Sequence, residues 1–247
     1  SAEDGFKINI QDLKSKISPK TKFIIINSPN NPTGRVMPKE ELLQIAELVR
    51  ENKNINILSD EIYELILKKE FKHLSLASLA TDLKERIFII NGFAKGWAMT
   101  GWRVGYLVGQ KDVIKASSAL QSQSTSNVCS FVQRGALEAL KVNREFFLEI
   151  NSHYDLRREV LYKGLKNIEG LFIYPPNGAF YAFPRLPNNS MTSVEFCKRI
   201  LNDYGLVVVP GKPFGDDQCI RISCASSKEK ILDGLTRLEK GILNYYF

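Results

Sequence analysis

Cysteine and histidine are both scarce in this 247-residue chain, with four of the first and two of the second. No two cysteines form a Cys-x-x-Cys, and with so few His a zinc site is not expected. Cys219 and Cys224 fall in one apolar stretch, CIRISCA, and read as small core residues, while Cys129 and Cys197 stand apart. A reducing, cytoplasmic setting is the simplest expectation. No apolar run approaches the roughly 20 residues of a membrane span. The opening SAEDGFKI has no basic start followed by an apolar stretch, so no signal peptide is expected. Gly/Ser linkers, internal repeats and low-complexity tracts are missing too. A basic run laced with aromatics is also lacking. The net charge of +7 is spread over lysines interleaved with glutamates, as in PKEELLQIAELVRENK. That pattern describes a solvated exterior, and nucleic acid is not an expected partner.

What is present is an ordinary globular composition, 44% hydrophobic and 25% charged, in a length that suits one large domain or two modest ones. KFIIIN (22–27), NINILS (54–59), RIFIIN (86–91) and VGYLVG (104–109) read as strands, with a helical pattern over 38–52. Near-continuous apolar strands alternating with helices predict an α/β fold with a mostly parallel sheet. Helical stretches follow at 111–121, 129–142 and 145–168. Beyond them LFIYPP, GAFYAF, LVVVP and CIRISCA read as short strands, mixed with helices near 192–204 and 228–245. The expected division is residues 1–150, belonging to a large α/β domain, and 151–247, a smaller α+β domain. A short helical pattern at 11–17 leads straight into a buried strand, and a parallel sheet that opens so abruptly suggests earlier strands outside this chain.

Ligands of parallel α/β sheets bind beyond the carboxyl ends of the strands. There the first strand gives NSPNNPTG, the second Asp60 with Tyr63 three residues on, and the third Lys95 with Arg103 eight residues later. Singly, each has an ordinary reading. Asp60 is a helix N-cap before EIYELI, Tyr63 a core aromatic, Asn31 a turn residue, Lys95 solvated, and Arg103 the partner of a surface carboxylate. Together at one sheet edge they form a specific set.

GFAKGWAMTGWRVG resembles the pyridoxal-phosphate lysine signature of class I aminotransferases. NSPNNPTGRV resembles their Asn-Pro-Thr-Gly turn, and SDEIYE their Asp-x-x-Tyr element. PNGAFYAFP, VVVPGKPFG and CIRISCASS resemble three stretches of their small domain, in order. The similarity is to aspartate aminotransferases of the bacterial and archaeal branch that carries MTGWR. It implies the C-terminal part of a fold-type I transferase that moves an amino group from an L-amino acid to a 2-oxo acid, with pyridoxal 5'-phosphate as cofactor and a homodimer as assembly.

The resemblance also implies roles. Lys95 is the Schiff-base lysine and the proton carrier at the substrate Cα. Asp60 keeps the cofactor's ring nitrogen protonated. Tyr63 and Asn31 hydrogen-bond the ring's 3′-oxygen, Asn31 through a cis Asn31–Pro32 turn. Arg103 offers a planar fork to the phosphate. Arg221, otherwise an edge-strand surface residue, binds the substrate α-carboxylate beside Asn31, and an arginine from a second domain would explain closure on substrate. No metal is implied.

Three departures qualify this pattern. Gly92 and Ala94 occupy places where some branches carry Ser. Ser122, in the loop QSQSTSN, stands where some aspartate aminotransferases carry an Arg for a dicarboxylic substrate, so dicarboxylate specificity is open. The family's N-terminal portion, with its glycine-rich phosphate cradle, has no counterpart before residue 21, so the isolated chain is expected to be a poor enzyme. A lyase or decarboxylase on the same fold, and the aminotransferase-like sensing domain of a transcription regulator, are the competing readings.

Overall fold

The computed structural model describes residues 1–187 and 191–247. Its larger sheet contains β1 (Phe23–Asn27), β2 (Asn56–Asp60), β3 (Ile87–Gly92) and β4 (Gly105–Val108), in that order. The first two pairings are parallel and the last is antiparallel. Side chains alternate across a strand, so Ile24 and Ile26 turn into the core while Phe23 and Ile25 face outward. The inward face is covered by α2 (Lys39–Glu51), where Leu42, Ile45, Ala46, Leu48 and Val49 form one apolar stripe. The helix start is tied down by Glu41, which pairs with buried Arg35 and accepts the Ile8 N–H at 2.7 Å. Two short helices, α1 (Ile10–Lys16) and α3 (Leu76–Leu79), flank it.

After β4 come α4 (Lys111–Ser124), α5 (Ser130–Ala139) and the long α6 (Arg144–Asn167). The chain then forms a second, antiparallel sheet from β5 (Tyr181–Ala182), β6 (Val209–Pro210) and β7 (Ile220–Ser223), with β7 in the middle. Against it pack α6, α7 (Ser193–Tyr204) and α8 (Lys228–Tyr246). Leu165, Phe196, Ile200, Ile220, Leu238 and Ile242 are fully buried there, each contributing about 1.5–3 kcal/mol. α7 is delimited by its own sequence. A Thr192–Glu195 capping box opens it, and Gly205 at φ 62° ends it in the left-handed conformation that glycine adopts without penalty.

LFIYPP does not become a strand. It contributes one isolated bridge, Phe172 to Arg185, before Pro175 and Pro176, which have no N–H to extend a ladder. Residues 121–124 of QSQSTSN are the last turn of α4 rather than loop, and Ser126 follows at φ 59°.

Candidate active site

Strand register sets the site. Asn27 lies opposite Asp60, and Asp60 opposite Ile90, so β1 and β2 end level and β3 runs two residues further, to Gly92. The turn after β1 contains two cis bonds, Ser28–Pro29 and the expected Asn31–Pro32. It is braced from within, since Asn27 Oδ1 accepts the Asn31 N–H at 2.7 Å and Asn30 Oδ1 accepts the Thr33 hydroxyl at 2.7 Å. The Gly34 carbonyl accepts the N–H groups of Asn177 and Gly178 at 2.8 and 2.7 Å. This joins the turn to the segment that leads into β5.

Asn31 Oδ1 accepts a hydrogen bond from Arg221 Nη1 at 2.8 Å, across 190 residues of sequence. The guanidinium lies 4.5 Å from the Tyr181 ring centroid and 5.2 Å from that of Phe214. Arg221 is thus held by an amide and two aromatic faces rather than by a carboxylate. Lys95 Nζ lies 5.8 Å from the Tyr63 centroid and 5.7 Å from the Phe180 centroid. It has no hydrogen-bond or ion-pair partner among the described residues. Tyr63 is buried, packs edge-on against Phe180 and Tyr181, and meets the Tyr181 hydroxyl at 3.1 Å. Burial, and then the contact with Tyr181, hold the Tyr63 phenol well above the usual range.

Asp60 caps no helix, because residues 61–65 form a turn whose Ile62 N–H donates to Asp60 Oδ1 at 3.2 Å. Its carboxyl is half-buried, and among the described residues it has no ion-pair partner. Burial raises its pKa and the neighbouring Glu61 charge adds to this. Glu61 has the opposite fate. Burial would raise it, but His73, Ser59 and Ser75 all hydrogen-bond its carboxylate and hold it below the ordinary range.

The loop that carries Lys95 is tightly folded. The Met99 N–H donates to the Phe93 carbonyl at 3.1 Å, and the Thr100 hydroxyl to the Ala94 carbonyl at 2.7 Å. Ala98 and Arg103 both have φ 54°, a strained conformation for residues with a Cβ. Arg103 is exposed and donates to the Thr100 carbonyl at 3.0 Å. No described contact links it to Lys95, Asp60, Asn31, Tyr63 or Arg221. A cleft of ≈ 610 Å³ opens beside it, lined in part by Val104, Gly105, Gln121, Ser122 and Asn127. Gly92 pairs with Gly105, and a Cβ at position 92 would lie 2.7 Å from the Gly105 Cα and 2.9 Å from the Val104 carbonyl. Both are backbone atoms with no freedom to swing aside, which accounts for glycine where serine stands in some branches.

Five of the six residues singled out in the sequence therefore gather at one edge. Four of them are joined by direct contacts or through Tyr181, and Arg103 stands at the loop's far end. The donor set suits a ring bearing an anionic oxygen and a basic nitrogen. Among the described residues it contains an amine without an acceptor, a half-buried carboxylate without a cation, a phenol, and an amide whose oxygen is already engaged and whose N–H₂ has no partner. Sequence reasoning missed Phe180 and Tyr181, the aromatic floor and link of the site, and Arg158, which braces their turn. Their only signal was their place in or near family-like stretches.

The sequence matches the family model "Aminotransferase class I and II" over residues 1–238. A probable aspartate/prephenate aminotransferase of Rickettsia felis is 40% identical over 248 residues, a match that covers 96% of this chain and 61% of that protein. The aspartate aminotransferase of Bacillus subtilis is also 40% identical, over 96% of this chain and 62% of its own length. Among solved structures, an aromatic aminotransferase from Pyrococcus horikoshii superimposes with a TM-score of 0.93 at 37% identity, covering 99% of this chain and 66% of that one. An aspartate aminotransferase of Thermus thermophilus with maleate gives 0.88 at 38%, covering 97% and 62%. The chain spans about three-fifths of the length of the curated relatives it matches. Both the family and the α/β architecture read from the sequence are shown by these matches.

Proposed function

The chain belongs to the class I and II aminotransferases, and from that premise we propose that it carries the lysine-bearing part of a pyridoxal-phosphate-dependent active site. The reaction is transfer of an amino group from an L-amino acid to a 2-oxo acid. The observation that carries this reading is the Asn31–Arg221 hydrogen bond. It sets an arginine fork over the same sheet edge where Lys95 stands on two aromatic rings, unpaired among the described residues.

When bound, pyridoxal 5'-phosphate supplies an aldehyde that condenses with primary amines and a ring that accepts electron density from the substrate Cα. Lys95 provides the attachment amine, and its Nζ takes the proton from the substrate Cα as general base and returns it as general acid. The Asp60 carboxylate would hold the proton on the ring nitrogen. Such a cation relieves the desolvation that raises the Asp60 pKa. Tyr63 and the Asn31 N–H₂ donate to the ring oxygen, since the Asn31 carbonyl is engaged by Arg221. Arg103 would hold the phosphate from the far end of the loop, and Arg221 would bind the substrate α-carboxylate.

The names of the similar proteins point to aspartate, prephenate or aromatic substrates. Ser122, exposed, donating to the Ala119 carbonyl at 2.7 Å and accepting from Gln123 Nε2 at 3.3 Å, offers no charge to a second carboxylate. A homodimer, a cytoplasmic setting and a division near residue 150 belong to the same proposal. Support for these comes from the habit of the family, from four unpaired cysteines and from the two larger apolar clusters, one on each side of that boundary, which a small third cluster around Tyr63 and Tyr181 joins. Among the described residues no helix is long and apolar enough to cross a membrane.

Borohydride reduction of the protein at its natural length with pyridoxal 5'-phosphate, followed by peptide mapping, tests the assignment. The label is expected on Lys95, and Lys95→Ala is expected to lose both the label and keto-acid-dependent amino transfer. A label on another lysine, or release of ammonia or CO₂ in place of amino transfer, overturns it.

A further inference from the structure

Tyr63 follows β2 and Tyr181 opens β5, 118 residues away in the chain, yet their hydroxyl oxygens lie 3.1 Å apart. Among the described residues, each hydroxyl is the other's only hydrogen-bond partner. Both side chains are buried, at 4% and 8% exposure. A phenol has one proton to give. If Tyr63 donates to Tyr181, its proton is used within the protein and none is left for a ligand oxygen. If Tyr181 donates, Tyr63 accepts and keeps its own proton free to point outward.

Tyr181 has a second neighbour in the same site. The Arg221 guanidinium sits 4.5 Å from its ring centroid, close enough for an attractive cation–π contact. Tyr181 and Arg221 are carried by paired strands, with Tyr181 opposite Ser223 on β7. The charged groups facing the phenol pair are Arg221, Lys95 and Asp60. One side chain therefore touches the phenol assigned to the ring oxygen and the arginine assigned to the substrate carboxylate.

We propose that Tyr181 is a positioning residue of this site: when the Tyr63 proton turns to the cofactor's ring oxygen, the Tyr181 hydroxyl donates to Tyr63 and strengthens it as a donor, while the Tyr181 ring seats Arg221. The inference rests on the roles of Lys95, Tyr63 and Arg221 given above. It extends them by making the strength of the ring-oxygen donor depend on a second phenol behind it.

The test uses the protein at its natural length, loaded with pyridoxal 5'-phosphate. Tyr181→Phe keeps the ring and removes the hydroxyl. The pH midpoint of the cofactor's visible absorbance change is expected to rise by about half a unit to one unit, because a weaker donor stabilises the ring oxyanion less. kcat is expected to fall about three- to ten-fold. KM for a carboxylate substrate is expected to stay within about two-fold, because phenylalanine still offers Arg221 a ring face. Tyr181→Leu, which removes that face, is expected to raise KM. In a Tyr63→Phe background, Tyr181→Phe is expected to add no further shift in the midpoint. An unchanged midpoint in the single variant, or a full additional shift in the double variant, overturns the proposal. Lys95 labelling separates the two levels. A parent protein unlabelled at Lys95 removes the functional reading and this inference with it, whereas normal labelling with an unmoved midpoint removes the inference alone.

Discussion

Arg158→Met is the most demanding test of how the site is supported. Arg158 lies on α6 at 3% exposure and touches no residue assigned to the chemistry. Its Nη2 donates to the Ala179 carbonyl at 2.9 Å, and its Nη1 pairs with Asp155. Ala179 has φ 52° and immediately precedes Phe180 and Tyr181, so this one guanidinium holds a strained turn against the helix. Methionine keeps most of the apolar stem and deletes the charge. The bond to Ala179 is charge-assisted and contributes about 1.5–3 kcal/mol. Loss of the pair with Asp155 adds less than a fully buried pair would. Asp155 is a quarter exposed and keeps the Lys69 N–H at 3.2 Å. Against these stands the relief of desolvating a guanidinium whose Nε has no partner. The balance is a destabilisation of about 2 kcal/mol. At a urea dependence of about 2–3 kcal/mol per M, the unfolding midpoint is expected to fall by roughly 0.7–1 M. Amino transfer measured well below that midpoint is expected to fall as well, since Phe180 and Tyr181 lose their brace. A midpoint that is unmoved or raised would refute the reasoning, and would mean that the Ala179 turn is held by its bond to the Ile66 carbonyl alone.

Two further outcomes follow from the carboxylates at the end of β2. Asp60 has a raised pKa in the folded chain, caused first by burial, so its ionisation weakens the fold as pH climbs through the folded value. Asp60→Asn is therefore expected to raise the melting temperature of the cofactor-free protein near neutral pH while sharply weakening pyridoxal 5'-phosphate binding, both measurable on one preparation. Glu61 carries the opposite sign. Its lowered pKa contributes stability above the ordinary carboxylate range, and this is lost as pH falls through the folded value. Glu61→Gln is expected to lower stability at neutral pH and to flatten the decline between about pH 5 and pH 3. A steeper acid decline in the variant would contradict the His73–Glu61–Ser75 network.

Much of the fold was legible because its signals are local. Continuous apolar runs such as FIIIN and NILSD have the length and texture of strands buried on a face, and α2 shows its stripe at helical spacing. Thr192 with Glu195, and Gly205 after the last turn, delimit α7 without reference to anything else. Where the reading missed, the deciding partner was remote or the polypeptide lacked a donor. LFIYPP has strand composition but prolines at its end. The ordinary alternative for Asp60, a helix cap, is not what the fold shows, since its carboxylate closes a turn.

The candidate site divides in the same way. Residue types and spacings gave Asn31, Asp60, Tyr63, Lys95 and Arg103 as a set, because an amide, a carboxylate, a phenol, an amine and a guanidinium fork at strand exits are together chemically specific; Arg221 and the individual roles came from the family resemblance. Residue types and spacings also gave the order of the elements, since a strand's carboxyl end is fixed once the strand is recognised. Only the tertiary structure decided which of these groups meet. The pairing of Asn31 with Arg221, the contact of Tyr63 with Tyr181 and the brace from Arg158 to Ala179 each join residues far apart in the chain. No local periodicity encodes such contacts. They arise when two sheets and α6 close on one another, and hydrogen bonds acquire their geometry only there.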